Sequence, residues 1–347
     1  MNLQETYMMR CLELARGGIG NVAPNPMVGC VIVHNDKIIA EGFHKQYGGA
    51  HAEVEAINTI ENKQVLKEAT LYVNLEPCSH HGKTPPCADL IIKYKIPHVI
   101  IGTLDTNSKV AGQGIKKLIE AGVDVNCGVL EEECRSLNKR FFTFHEEKRP
   151  YVILKWAQSI DGYIDINRKI GDGKAPIKIS NAEASNLVHQ WRSEEQAIMV
   201  GTNTALLDNP QLTVRNVKGK NPLRVVIDKE GKIPSTHYLV SDNEPTLLFT
   251  YSTDKTDKNK EFVSLRNADN IIEEILTTLF ERGIQSVIIE GGSKLLNSFI
   301  EKDLWDEARV IIGQQKIENG IKAPLLKQQP ISEENLNGDT ILYYTNQ

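Results

Sequence analysis

Over the first 140 residues, short β-branched runs alternate with stretches whose apolar positions recur at helical spacing. The runs are Val28–Val33, Thr70–Leu75, His98–Gly102 and Val123–Cys127, and the helical stretches cover 52–60, 87–94, 112–121 and 130–140. Ahead of them, Leu3, Tyr7, Met8, Cys11, Leu14 and Ala15 form the apolar face of an amphipathic helix that Gly17-Gly18 stops. Strands alternating with helices predict a layered α/β domain with substantial parallel pairing. The charged tract Glu146-Glu147-Lys148-Arg149-Pro150 reads as a linker. A second series follows, with strands at Tyr151–Gln158, Ala197–Val200, Leu223–Asp228, Thr246–Thr250, Val287–Glu290 and Ala308–Gly313. Its helices fall at 181–191, 269–281 and 292–301, and the polar stretch 251–268 reads as a surface loop. The fold class is therefore α/β, in two domains, 1–146 and 147–347.

Length agrees with the pattern: 347 residues correspond to about two domains, each able to build a core without disulfide staples. The net charge of −5, from 40 basic and 45 acidic residues, argues against a surface that coats nucleic acid. It leaves room for a small basic pocket. Mean hydropathy is −0.31. No run approaches the roughly 18 apolar residues of a membrane helix. Glu5, Arg10 and Glu13 interrupt the N-terminal apolar residues, which fits neither a signal nor a transit peptide. A cytoplasmic protein is expected, so the six cysteines point to metal or core roles rather than disulfides.

The sharpest chemical signal is His51-Ala52-Glu53, followed by Glu76-Pro77-Cys78 and Pro85-Pro86-Cys87. One imidazole and two thiolates suit Zn²⁺ and leave a fourth position for water, which a metal makes nucleophilic near neutral pH. Residues two apart on a helix do not share a face, so Glu53 is better placed to move a proton than to ligate. Cys87 opens an apolar helix after two prolines, where the helix N-terminus favours a thiolate. Zinc nucleobase deaminases carry H-x-E and then P-C-x-x-C. Here eight residues, Ser79 to Pro86, separate the cysteines instead of two.

The second domain has no G-x-G-x-x-G after a strand. Two strands nevertheless run into glycine turns and helices, at Gly201-Thr202-Asn203-Thr204 and Gly291-Gly292-Ser293-Lys294. Such turns can seat phosphate on a helix N-terminus, although either can be a plain connection.

Asn25-Pro26-Met27-Val28-Gly29, Gly42-Phe43-His44, His51-Ala52-Glu53-Val54 and the whole segment Leu75 to Cys87 resemble the RibD family of bifunctional riboflavin-biosynthesis enzymes. So do Lys155 to Gly162 and Leu207 to Arg215. The resemblance implies an N-terminal cytidine-deaminase-like α/β/α domain and a C-terminal dihydrofolate-reductase-like α/β domain that uses NADPH. It implies deamination of 2,5-diamino-6-ribosylamino-4(3H)-pyrimidinone 5′-phosphate, then reduction of the ribosyl chain to ribityl. It assigns zinc to His51, Cys78 and Cys87, proton transfer to Glu53, and pyrimidine and phosphate contacts to Asn25, His44 and Lys83. The family's Asp-Pro-Asn-Pro stretch appears as Asp105-Thr106-Asn107-Ser108, so Asp105 and Asn107 carry over while both prolines are gone. In the reductase, Ala157, Gln158, Thr204, Asp208, Gly291, Gly292 and Ser293 would meet NADPH. Arg192, Leu212, Arg215 and Glu290 would hold the substrate. Lys178 stands where the family usually has Trp, so the usual contacts are not carried to Pro176, and the pocket wall there is either rebuilt or the reductase weakened. The intact Asp208–Arg215 segment favours activity. The partner expected is a small pyrimidine ribose phosphate, with no nucleic acid and no membrane, and the chain is expected to be a homo-oligomer.

Two rivals stand beside this reading. One is a nucleobase or nucleic-acid deaminase with an accessory, non-reductase C-terminal domain. The other is a closed structural zinc module in which His80 or His81 supplies a fourth ligand.

Overall fold

The computed structural model describes residues 2–79, 85–106, 111–251 and 259–346. The chain divides into two compact units, Met1–Lys148 and Arg149–Gln347. In the first, chain order is α1 (Leu3–Ala15), β1 (Gly29–His34), β2 (Lys37–Phe43), α2 (Ala52–Thr59), β3 (Thr70–Leu75), α3 (Cys87–Tyr94), β4 (His98–Thr103), α4 (Gln113–Glu120), β5 (Asp124–Cys127), α5 (Glu131–Leu137) and α6 (Lys139–Glu147). The second unit begins with β6 (Tyr151–Ser159), β7 (Tyr163–Asp165), α7 (Ala182–Glu194), β8 (Ala197–Gly201), α8 (Thr202–Asp208), β9 (Leu223–Ile227), α9 (Tyr238–Ser241), β10 (Thr246–Thr250) and β11 (Lys260–Ser264). It ends with α10 (Ile271–Glu281), β12 (Ser286–Ile289), α11 (Ser293–Glu301), β13 (Glu307–Gly313), β14 (Ile321–Lys322), β15 (Ser332–Leu336) and β16 (Asp339–Thr345).

The first unit is a five-stranded sheet in the order β2-β1-β3-β4-β5. β1 is antiparallel to β2 and β3, and β3, β4 and β5 run parallel. The period-two alternation of the strands builds both faces. Cys30 and Ile32 pack with Ala52, Ala56, Ala88 and Ile91 of α2 and α3 on one side. Val31 and Val33 pack with Met8, Cys11 and Leu12 of α1 and Cys134 of α5 on the other. The result is helix, sheet and helix in three layers. Gly29 is required by close approach, since a Cβ there would lie 2.1 Å from the Cys11 carbonyl oxygen.

The second unit holds a nine-stranded sheet, β11-β10-β9-β8-β12-β6-β13-β16-β15, parallel as far as β13 and antiparallel beyond it. Val152, Leu154 and Met199 face Ile275, Leu279, Leu296 and Phe299 of α10 and α11. Ile153, Ile198 and Val200 face Val188 and Trp191 of α7 and Ala205 of α8.

Several expectations are corrected. The single helix at 130–140 is two helices, because the buried Asn138 turns from the helix and pairs its side chain with the backbone of Met27. α6 then absorbs Glu146 and Glu147 from the tract read as a linker, with Phe141 and Phe142 supplying its buried face and Lys148 closing it in a left-handed conformation. Arg149, in the same tract, is fixed to Asp306 by two bonds of 2.6 and 2.7 Å. Part of the stretch read as a loop over 251–268 is the edge strand β11, whose Lys260 is buried and donates to Asp242 and the Glu244 carbonyl. Leu3 is 52 % exposed, while Leu12 takes the buried place on α1. Tight turns at Asn35-Asp36 and Asn337-Gly338 join β1 to β2 and β15 to β16, all four residues in the left-handed region that such hairpins demand. Among the described residues, no helix is long and apolar enough to cross a membrane.

Candidate active sites

In the first unit, His51 is the N-cap of α2, keeps extended backbone angles and makes no side-chain capping bond to the helix. Cys78 follows the C-terminal end of β3, and Cys87 is the first residue of α3. Their ligand atoms lie within 4.8 Å of one another. His51 Nδ1 is 3.5 Å from Cys78 Sγ and 3.3 Å from Cys87 Sγ. Metal bonds of about 2.3 Å to sulfur and 2.0 Å to nitrogen, at tetrahedral angles, separate S and N by about 3.5 Å. The three groups therefore fit zinc. The first backbone amide of α3, that of Cys87, donates to Cys78 Sγ at 3.3 Å. Bonding from the Cys87 thiol and from His51, against burial, brings the Cys78 thiol down to about 4. The helix terminus thus supports the Cys78 sulfur, where the sequence suggested the Cys87 sulfur itself.

Glu53 lies in the first turn of α2 and is 3 % exposed. Burial, reinforced by the Cys78 thiolate, pushes its carboxyl above the usual carboxylate range. A cation held by the triad would draw the carboxyl back toward ionisation, against that shift. His44 is also buried. Its Nδ1 lies 2.9 Å from the Ala50 carbonyl and so carries the proton, which leaves Nε2 to accept from Asn25 Nδ2 at 3.1 Å. Burial lowers the His44 pKa, so the ring is held neutral and in one tautomer. Asn25 and His44 meet, and the His44 ring packs edge-on to His51 with centroids 5.6 Å apart. The Asp105 amide donates to Glu76 at 3.3 Å. Lys83, Asn107, His80 and His81 lie outside the described residues.

Asn74 and Asn138 escape a reading of motifs, yet they grip the segment that carries Asn25. Asn74 bonds the Gly29 amide and the Met27 carbonyl, and Asn138 bonds both polar groups of Met27. An Asn placed within an otherwise apolar strand, Leu71 to Leu75, is the signal for the first.

In the second unit, β8, β12 and β6 are adjacent and parallel, and their C-terminal ends form one edge. Glycine turns follow β8 and β12, and each leads directly into a helix, α8 or α11. Thr204 Oγ1 accepts from the Gly292 amide at 2.9 Å and ties the two turns together. Gly291 has no left-handed angle; a Cβ there would lie 2.6 Å from Leu295 Cδ2 and 3.3 Å from the Gly201 nitrogen. Close approach, rather than turn conformation, requires glycine here. Ser293 opens α11, and Ala157 and Gln158 lie near the end of β6, where Gln158 accepts from Trp156 Nε1 at 2.8 Å. Asp208, at the end of α8, is paired with Arg168.

Beside this edge lies a buried charge cluster. Arg192 Nε and Nη2 each donate to Glu290 at 2.8 Å, Arg192 Nη1 donates to the Thr213 carbonyl at 3.3 Å, and Lys155 Nζ reaches Glu290 at 3.4 Å. Lys155 was absent from the sequence-based set, and the partner that marks it is 135 positions away. Arg215 is exposed and bonds the neutral Gln211 and Thr213 side chains. Leu212 is buried in a left-handed conformation. Lys178 is exposed, and its carbonyl accepts from Gln315.

Burial alone would raise the Glu290 carboxyl, but Arg192 and Lys155 outweigh it and hold it at about 2 against an ordinary 4.5. A carboxyl depressed in the folded state stabilises fully above its unfolded value and loses that effect as pH falls through its folded value. The second unit should therefore lose up to about 3 kcal/mol between these limits. Trp156, Trp191 and Trp305, all buried, are the chain's three tryptophans, so denaturant titrations followed by their fluorescence report this unit alone. Glu290→Gln should flatten the acid slope; an unchanged slope refutes the assignment.

A zinc-type ligand triad beside a buried carboxyl, joined to an α/β unit with paired glycine turns, is the arrangement of a two-domain deaminase and reductase. Residues 1–103 match the cytidine and deoxycytidylate deaminase zinc-binding region, and residues 150–315 match the RibD C-terminal domain. The chain is 38 % identical over 357 aligned positions to riboflavin biosynthesis protein RibD of Aquifex aeolicus, covering 99 % of this chain and 98 % of the relative. It is 41 % identical to RibD of Bacillus amyloliquefaciens, covering 90 % and 86 %. A crystal structure of a diaminohydroxyphosphoribosylaminopyrimidine deaminase/5-amino-6-(5-phosphoribosylamino)uracil reductase from Thermotoga maritima superposes with a TM-score of 0.88 at 39 % identity, covering 98 % of each chain. The chain belongs to the RibD family: it is a bifunctional enzyme of riboflavin biosynthesis with a zinc-binding deaminase region and an NADPH-dependent reductase domain. The match over 150–315 removes the rival with a non-reductase accessory domain.

Proposed function

We propose that residues 1–146 form a domain that deaminates the diaminopyrimidinone ribosylamine phosphate, and that 147–347 form a domain that reduces the deaminated product's ribosyl chain. The observation that carries the first step is the convergence of His51, Cys78 and Cys87 beside the buried Glu53. His51, Cys78 and Cys87 would hold a zinc ion, which when bound would supply Lewis acidity to activate water near neutral pH. Glu53 takes the proton of the attacking water and delivers it to the departing amine. The neutral His44, fixed through Ala50, presents Asn25 to the pyrimidine. Lys83 supplies a cation for the phosphate.

For the reductase, the amides of Gly291 and Gly292 and the start of α11 suit the NADPH phosphates, as Thr204 binds both turns into one surface. Ala157, Gln158 and Asp208 line the rest of the cofactor. Arg215 meets the substrate phosphate, having only neutral partners in its hydrogen bonds here. Leu212 forms an apolar wall. Glu290 and Lys155 hold the ribosyl hydroxyls, with Arg192 fixing the carboxylate. We place the enzyme in the cytoplasm, as a homo-oligomer; Leu325 and Ile331, 86 % and 64 % exposed, offer apolar surface for association.

The test follows ammonia release and NADPH oxidation separately on the full chain. Both are expected from the diamino substrate, and only the second from the deaminated one. Stripping zinc with a chelator should abolish ammonia release, spare NADPH oxidation on deaminated substrate, and be reversed by added zinc. Ammonia release that survives complete zinc removal sinks the deaminase reading.

A further inference from the structure

Glu76 immediately precedes Pro77-Cys78, is 4 % exposed, and is not one of the three candidate ligands. Its carboxylate accepts from four backbone amides that lie 29 to 39 positions away. Oε1 takes Gly114 at 2.8 Å and Ile115 at 3.3 Å; Oε2 takes Gly112 at 2.9 Å and Asp105 at 3.3 Å. Three of these belong to the N-cap and first turn of α4, whose N-cap Gly112 carries no side chain to satisfy them. The carboxylate therefore does the capping from another element, and its negative charge meets the positive end of the helix. The fourth amide belongs to Asp105, on the loop after β4.

The fit is tight on the far side too. A Cβ on Gly114 would lie 2.0 Å from the Pro77 carbonyl oxygen, so the start of α4 rests directly on the backbone that leads to Cys78. The Glu76 amide in turn donates to the Thr103 carbonyl at 3.0 Å, which holds the ends of β3 and β4 together.

We infer that Glu76 is a positioning residue for the deaminase, a carboxylate clamp that sets Asp105 and the start of α4 against the Cys78 ligand segment. The inference rests on the deaminase reading above. Groups held in place before substrate arrives do not have to be ordered by it, so the clamp acts on substrate affinity. The proton transfer by Glu53 and the metal ligands are untouched by it.

The experiment uses the full-length zinc-loaded enzyme, with Glu76→Gln and Glu76→Asp. Gln keeps the shape but removes the charge and turns one acceptor into a donor facing amides. Asp keeps the charge on a stem one carbon shorter. For Glu76→Gln, KM of the diamino substrate should rise at least about tenfold while kcat of ammonia release stays within about threefold. Zinc content and NADPH oxidation on deaminated substrate should match wild type. Glu76→Asp should fall between. Hydrogen exchange at Asp105, Gly112, Gly114 and Ile115 should quicken in both variants. An unchanged KM, or a KM rise explained by parallel loss of zinc, overturns the clamp. So does exchange at the four amides that matches wild type. If wild type itself releases no ammonia from this substrate, the functional reading fails, while the exchange measurement still decides whether the clamp exists.

Discussion

Glu53→Gln is expected to lower ammonia release by about 10²- to 10⁴-fold, the usual worth of a placed proton carrier. The side chain sits in the first turn of α2, two residues after the candidate zinc ligand His51, and is sealed from solvent. Gln fills the same volume and cannot shuttle a proton. Zinc content should remain that of wild type, because His51, Cys78 and Cys87 complete the ligand set without it. NADPH oxidation on deaminated substrate should also persist, since that chemistry belongs to the other unit. The three measurements separate proton transfer from metal binding and from folding. Wild-type ammonia release by the variant would falsify the shuttle, and loss of zinc would recast Glu53 as a ligand or its support.

The features that placed Glu53 were legible in the sequence because they are local. A His at a helix start, a Glu two positions on, and two cysteines each preceded by proline carry their geometry within a few residues. Helix caps and strand ends are set by such short-range rules, and the three-layer arrangement followed from them. What stayed hidden was held by distant partners. Asn138 ends α5 for the sake of Met27, 111 positions away, and no periodicity announces that. Glu76 looks like a motif neighbour of Cys78, yet most of its partners are the amides at the start of a helix three elements further on. The edge strand β11 was lost because its buried Lys260 breaks the apolar pattern and finds its counter-charge only in the folded sheet. The hairpin at Asn337-Gly338 is different: its turn signal is strong and local, and a strand pair was there to be read.

Glu290 tests the opposite regime, where function and stability share one side chain. Its carboxylate is buried between Arg192 and Lys155. Removing one member of a buried ion pair leaves an uncompensated charge and costs about 3–5 kcal/mol. Glu290→Ala should therefore destabilise the second unit by that order, and NADPH oxidation on deaminated substrate should fall at least about a hundredfold as the substrate loses its positioned contacts. Ammonia release should stay near wild type. Stability loss alone could mimic the second effect, and a further substitution separates them. Adding Lys155→Met to Glu290→Ala removes one of the two stranded cations and should restore much of the lost stability. It restores no hydrogen-bonding group for the ribosyl chain, so NADPH oxidation should remain lost. Recovery of turnover along with stability would show that the cluster only holds the fold, and would move substrate recognition to Arg215 and the glycine turns.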